Sequence, residues 1–293
     1  MVTDRVIIVS NGQTSVELTA APFYVKDIKG FDRLKIQNVT TQGYDQDGAV
    51  LVNSYVLPRD MEIRGQIRAD STRRMQELRD QLEKIFIPRK DLLITHYYGG
   101  KTRIIRARVE ETPVFGFEGV STVQSYSIQA LATDPYWTDA EEILVEMANT
   151  VGRFHFPLRI PVRKGVIFGL HQTSMIANVY NASAIKVGMR YVFAANGTVK
   201  NPMLFNVRTR QFMKLNCTMA EGETITVQTG QKKTITRNRN GLEDDYIGKI
   251  DLAGGGRTFL ELDPGDNLLR YGADEGEKNL QVKIYHINQY MGV

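Results

Sequence analysis

Residues 201–240, NPMLFNVRTRQFMKLNCTMAEGETITVQTGQKKTITRNRN, and residues 260–272, LELDPGDNLLRYG, are short alternating runs separated by turn residues. Side chains on an extended strand point alternately to opposite faces, so each run reads as a half-buried strand and each break as a corner. The sharpest corner is Asp263-Pro264-Gly265-Asp266. Working outward, runs of the same kind recur at 190–193, 205–208, 212–217, 224–228, 233–236, 258–262 and 279–286. From residue 164 onward no helical period of useful length interrupts them. Regular short strands with Gly, Asn and Pro between them predict a β-sandwich or jelly roll.

Towards the N-terminus the pattern stays mainly β. In residues 60–68, Met61, Ile63 and Ile67 alternate with Glu62, Arg64, Gln66 and Arg68 around Gly65, and residues 125–132 repeat the period through Tyr126, Ile128 and Ala130. Between them, Met75, Leu78, Leu82, Ile85 and Phe86 fall at spacings of three and four, which predicts one helix over 71–87. Asp70 or Ser71 can cap it and Pro88 stops it. Asp80 with Lys84 and Arg79 with Glu83 stand at i,i+4 on its outer face. Residues 92–98 and 103–109 flank Gly99-Gly100 and predict a hairpin. Prolines at 157 and 161 favour extended backbone, so the expected division is a β-sandwich with one packed helix over 1–140, a linker over 141–163 and a second β-sandwich over 164–293.

The length of 293 residues fits two such cores. Val6 to Val9 are too few apolar residues for a signal peptide or a membrane span, so the expectation is synthesis in a cytosol without membrane insertion. Cys217 stands alone, which excludes an internal disulfide and a cysteine-based zinc site. Sequons at Asn38, Asn181, Asn196 and Asn216 carry no weight without secretion. The net charge of +4 lies wholly after residue 140, and Lys232, Lys233, Arg237 and Arg239 supply much of it. No aromatic residues interleave with them, so the stretch reads as a solvated loop and not as a nucleic-acid site.

Motifs that imitate chemistry fail on inspection. Gly100-Lys101-Thr102 lacks the earlier glycine of a phosphate-binding loop, since position 95 is threonine. Asp45-Gln46-Asp47-Gly48 begins like a calcium loop, but Val56 stands where the bidentate glutamate belongs, so a turn is the better reading. His96, His155, His171 and His286 lie in separate segments without metal-ligand spacing. Glu110-Glu111 and Asp244-Asp245 are adjacent pairs, and on a strand they point to opposite faces. No catalytic, cofactor or metal residue is expected. Sugar binding needs an exposed aromatic ring, and in the second half Tyr246, Tyr271 and Tyr285 are the candidates.

In colinear order the chain resembles the distal tail proteins of long-tailed phages and prophages. In the first half the likeness lies in residues 43–49 with Gly48, in Tyr55-Val56-Leu57-Pro58-Arg59, in the helix run ending at Pro88, and in Asp134-Pro135-Tyr136-Trp137. In the second half it lies in Asn201-Pro202, the 205–215 hairpin, residues 220–223, residues 262–267 with Pro264 and Gly265, and the final Tyr290-Met291-Gly292-Val293. Thr209-Arg210 departs from the family's Thr-Gly turn, and the arginines within 234–243 depart from a tighter strand. The resemblance implies a ring-forming first domain and a galectin-like second one. It also implies a hexameric ring at the distal end of the tail tube, a hub for the tail tube protein, the tail-tip hub protein and receptor-binding or adhesion proteins. An alternative is a carbohydrate-binding module that contacts host cell-surface glycan through the second domain.

Overall fold

The computed structural model describes residues 5–116, 122–152, 169–173 and 175–293. Among the described residues the fold is mainly β with one α-helix. The chain divides into two compact units, residues 1–140 with 289–293, and residues 141–288.

The first unit contains β1 (Arg5–Ser10), β2 (Ser15–Glu17), β3 (Phe23–Lys29), β4 (Ile36–Thr41), β5 (Val50–Val56), β6 (Arg59–Arg68), α1 (Thr72–Ile85), β7 (Asp91–Tyr98), β8 (Lys101–Phe115), β9 (Val123–Ala132) and β10 (Trp137–Thr138). Its antiparallel sheet runs β2-β1-β7-β8-β9-β6-β3. The alternation read in residues 60–68 appears as the strictly alternating burial of β6, which pairs with β9 along its whole length. Gly65 sits in mid-strand because its partner is Tyr126: a Cβ at that position would lie 2.4 Å from the tyrosine ring. The missing side chain is the space the ring fills.

Helix α1 starts where Ser71 Oγ accepts from the Arg74 amide, and it buries Met75, Leu78, Leu82 and Ile85 against the sheet. Each of these contributes about 2 kcal/mol by burial, far more than any surface ion pair on a helix. The expected pairs Asp80–Lys84 and Arg79–Glu83 do not form. Arg79 instead lies 4.6 Å from the centre of the Phe115 ring, and the helix's ion pairs join Glu77 to Arg73 and Arg74. Stacking on a ring draws the guanidinium away from its helical neighbour.

The second unit contains β11 (Ile143–Glu146), β12 (Ala148–Gly152), β13 (Gly169–Thr173), β14 (Ile176–Asn181), β15 (Met189–Ala195), β16 (Val199–Lys200), β17 (Met203–Asn206), β18 (Phe212–Lys214), β19 (Thr218–Met219), β20 (Thr224–Gln228), β21 (Thr234–Arg239), β22 (Leu242–Asp245), β23 (Gly265–Gly272) and β24 (Leu280–His286). Two sheets, β11-β24-β15-β20-β21-β22 and β14-β23-β17-β18, face each other across one core. Tyr191, Phe193, Ile225, Val227, Val282 and Ile284 come from the first sheet, and Val179, Leu204, Met213, Leu269 and Tyr271 from the second.

Three expectations need correction. Residues 141–163 are not a plain linker: β11 pairs with β24 and β12 with β13, because the 143–146 backbone completes an otherwise open sheet edge. Residues 153–163, with both prolines and His155, lie outside the described residues. The C-terminus does not end in the second unit, since β25 (Gln289–Tyr290) pairs with β10 and Tyr290 and Val293 pack on the first core. Residues 258–262 are extended but form only a bridge, in which Val187 and Leu262 exchange hydrogen bonds.

Candidate functional site

The residues singled out in the first unit converge on Arg59. It opens β6 facing inward and is 3% exposed. Its Nε donates to Pro135 O at 2.6 Å, Nη1 to the carbonyls of Gly30, Phe31 and Arg33 at 2.5, 3.2 and 3.1 Å, and Nη2 to Met291 O at 2.6 Å. Main-chain oxygens thus replace the water this buried cation has lost. Burial pulls its pKa down to about 10, opposed by the nearby Asp32 carboxylate, so it stays charged at neutral pH. Trp137, wholly buried, donates Nε1–H to the same Phe31 carbonyl at 3.0 Å. Asp134 caps the turn by accepting from the Tyr136 amide at 3.3 Å, and burial raises its carboxyl pKa. One guanidinium therefore ties together the 30–33 loop, the 134–137 corner and the C-terminal strand.

Pro88 and Gly48 stand apart from this knot. Pro88 follows the helix in a turn whose next residue, Arg89, has φ 67°, and Gly48 lies in the β4–β5 loop at φ 79°. Asp45, in the same loop, has φ 59°, so the calcium-like motif is a turn.

In the second unit the singled-out residues build corners. Asn201 adopts φ 54°; its Oδ1 accepts from the Cys217 amide at 3.0 Å and its Nδ2 donates to Asp274 at 2.8 Å. Pro202 O accepts from the Leu215 amide at 3.0 Å. After Pro264, Gly265 turns at φ 85°, and the buried Asn267 closes the corner: its Nδ2 donates to Asp263 O and Gly265 O, and its Oδ1 accepts from the Asp263 amide. Arg210 takes φ 60° in its turn, a conformation a glycine adopts without steric cost.

The three candidate sugar-contact tyrosines differ in their surroundings. Tyr271 is 1% exposed and belongs to the core. Its position two residues after Leu269, out of phase with Asp266 and Arg270, is the alternation signal that marks it as inward. Tyr246 and Tyr285 each lie under a guanidinium, of Arg237 at 4.6 Å and Arg190 at 3.9 Å from the ring centre.

The chemistry-bearing residues are dispersed. His96 is buried against Phe31 and Trp137, and burial together with the charge of Arg5 lowers its pKa to about 4. His286, buried in the other unit, is also shifted down by burial. His171 lies on β13. The Cys217 thiol is pushed up to about 11, chiefly by burial, which leaves it protonated and unreactive. The basic stretch proves to be strand as well as loop, with Arg237 paired to Asp244 and Arg239 to the buried Glu223. Among the described residues no group of three or more His, Cys, Asp or Glu could hold a metal ion, and no helix is long and apolar enough to cross a membrane.

What the molecule does present is uncovered surface. Strands β4 and β5 form a two-stranded sheet paired to no other among the described residues. Their thirteen residues include no charge, yet Ile36, Val50, Leu51, Val52 and Tyr55 are 62, 53, 58, 62 and 45% exposed. The hairpin is rooted where the Leu57 amide donates to Lys35 O at 2.9 Å and Lys35 pairs with Asp60. From sequence this region reads only as turns and family markers; the signal that could have found it is the absence of charge from two consecutive strands. In the second unit, Ile176, Tyr180, Val207 and Leu268 are exposed, on or beside the outer face of the four-stranded sheet.

Residues 11–129 match the model of the phage tail protein RIFT-related domain. No curated protein sequence matches the chain significantly. Among solved structures, the Dit protein of phage SPP1, described as a paradigm of the hub adsorption apparatus in phages that infect Gram-positive bacteria, is similar with a TM-score of 0.67 at 15% identity, over 97% of this chain and 99% of that one. A chain of the phage P2 baseplate in its activated conformation with calcium is similar at 0.54 and 10% identity, over 99% of both chains. Residues 11–129 are thus similar to the phage tail protein RIFT-related domain, and over nearly its whole length the chain shares the fold of the SPP1 Dit protein.

Proposed function

We propose that this chain is a non-enzymatic structural component of a phage virion's distal tail. In this reading six copies close a ring at the end of the tail tube through the first unit. The second unit, a galectin-like sandwich, holds the tail-tip hub and the receptor-binding or adhesion proteins. The observation that carries the proposal is the uncovered β4–β5 hairpin on a chain with this fold. A two-stranded hairpin with five exposed apolar side chains is marginal by itself, and it gains a covering when copies assemble. The exposed apolar residues about the four-stranded sheet suit a protein partner for the second unit. The glycan-contact reading is weaker, because Tyr271 is buried and arginines cover faces of Tyr246 and Tyr285.

Native mass spectrometry and negative-stain imaging of the purified protein test this. The expected result is a six-fold ring with its mass at six protomers. A protein that stays monomeric at high micromolar concentration, and is monomeric in tails, would overturn the ring.

A further inference from the structure

We infer that the hairpin of one copy lies on the outer face of β1, β7 and β8 of a second copy, so that each protomer is donor on one side and acceptor on the other. This rests on the ring reading above and names the surface that reading leaves open. The outer face of these strands carries Val6, Ile8, Leu93, Thr95, Tyr97 and Ile104 side by side, since Val6 pairs with Tyr97, Ile8 with Thr95 and Thr95 with Ile104. Ile8, Leu93 and Tyr97 are exposed there, although each lies in a strand whose other face builds the core.

Topology sets the direction. The hairpin leaves the sheet between β3 and β6, at one end of the strand order, whereas β1 and β7 lie at the other end. From β6 to β1 is four strand steps, roughly 19 Å at the usual inter-strand spacing. Donor and acceptor are therefore different patches at opposite ends of the strand order, and a contact between different patches of identical chains is heterologous and closes into a ring or runs on as a filament. Charge agrees with this pairing. The hairpin strands are uncharged and the loop between them carries Asp45 and Asp47, neither with an ion-pair partner among the described residues, while Arg106, likewise without one among them, stands beside Leu93 on the acceptor face. An acidic loop and a basic border orient an otherwise apolar contact.

The test uses the full chain with Leu51→Lys as a donor variant and Leu93→Lys/Tyr97→Lys as an acceptor variant, each followed by sedimentation and native mass spectrometry. All three positions are exposed, so folding is retained; circular dichroism checks this, and Ile8→Lys is the substitute acceptor variant if the double one does not fold. Each variant alone is expected to lose assembly, with association weakened at least roughly tenfold, as for truncation of a central contact. An equimolar mixture should give a 1:1 heterodimer and nothing larger, since it contains one good donor and one good acceptor per pair. Acceptor variants that assemble like the parent protein would overturn this inference while leaving the ring standing. Absence of the heterodimer would do the same. A parent protein that never assembles would overturn both.

Discussion

Arg59 shows how one side chain can hold segments that are remote in sequence. It satisfies five main-chain carbonyls drawn from residues 30–33, 135 and 291. Arg59→Met should cost about 3 kcal/mol or more, because those carbonyls lose charge-assisted hydrogen bonds inside the protein. Arg59→Lys should recover only part of this, since an ammonium cannot reach so many acceptors with a planar fork. Urea unfolding of the variants measures the loss, and proteolysis should show the 289–293 segment released in Arg59→Met. Stability equal to the parent would refute the assigned role. His96 gives a pH dependence. Its folded pKa, about 4, lies below the ordinary value of 6.5, so the unfolded chain takes up the proton first. The stability that depends on neutral His96 is intact above pH 6.5 and is lost as pH falls towards 4, by about 3 kcal/mol. His96→Gln should flatten that part of the profile, measured as the difference in unfolding free energy between pH 7 and pH 4.5. An unchanged difference would show that burial does not perturb the imidazole.

Elements here owe their stability to packing. Helix α1 has one stabilising cap and a few exposed ion pairs, worth tenths of a kcal/mol each, against four buried side chains. Leu82, wholly buried, is the centre of that face. Leu82→Asp places an unpaired carboxylate under the sheet and should prevent the first unit from folding, seen as lost near-ultraviolet dichroism and rapid proteolysis of residues 1–140. Soluble, assembling Leu82→Asp protein would mean that another face of the helix is inward. The β4–β5 hairpin is the opposite case. It lacks a covered face among the described residues, and there it has no local stability beyond its ladder and the anchor at Lys35 and Leu57.

For the whole molecule, the two cores form by different routes from one alternating pattern. The second unit stacks two sheets over one apolar layer, while the first sets a single sheet against α1 and recaptures the C-terminus through β10, β25 and Arg59. Tyr290 is fixed there by Arg103, 3.6 Å from its ring centre, and by Asp139, which accepts from its hydroxyl at 3.1 Å. A chain that leaves its first unit at residue 140 and re-enters it at residue 289 makes that unit depend on its own last residues. Ring assembly and heterodimer formation, the outcomes set out above, belong to this scale because they require complete protomers.

Local pattern by itself determined much of this protein. Period-two alternation located β6, β9, β15, β20 and β24, the three-and-four spacing located α1, and Asp263-Pro264-Gly265-Asp266 marked the corner before β23, because side-chain direction and turn preference are properties of neighbouring residues. The tertiary structure decided what local pattern cannot carry. A sequence run does not specify which remote carbonyls meet Arg59, one of them 232 positions away, nor that residues 289–290 pair with 137–138. Nor does an uncharged run say whether it is covered: β5, with five apolar residues in seven, has the composition of a core strand and yet lies open. Burial depends on the packing of the whole chain, and on whatever partner supplies the missing face.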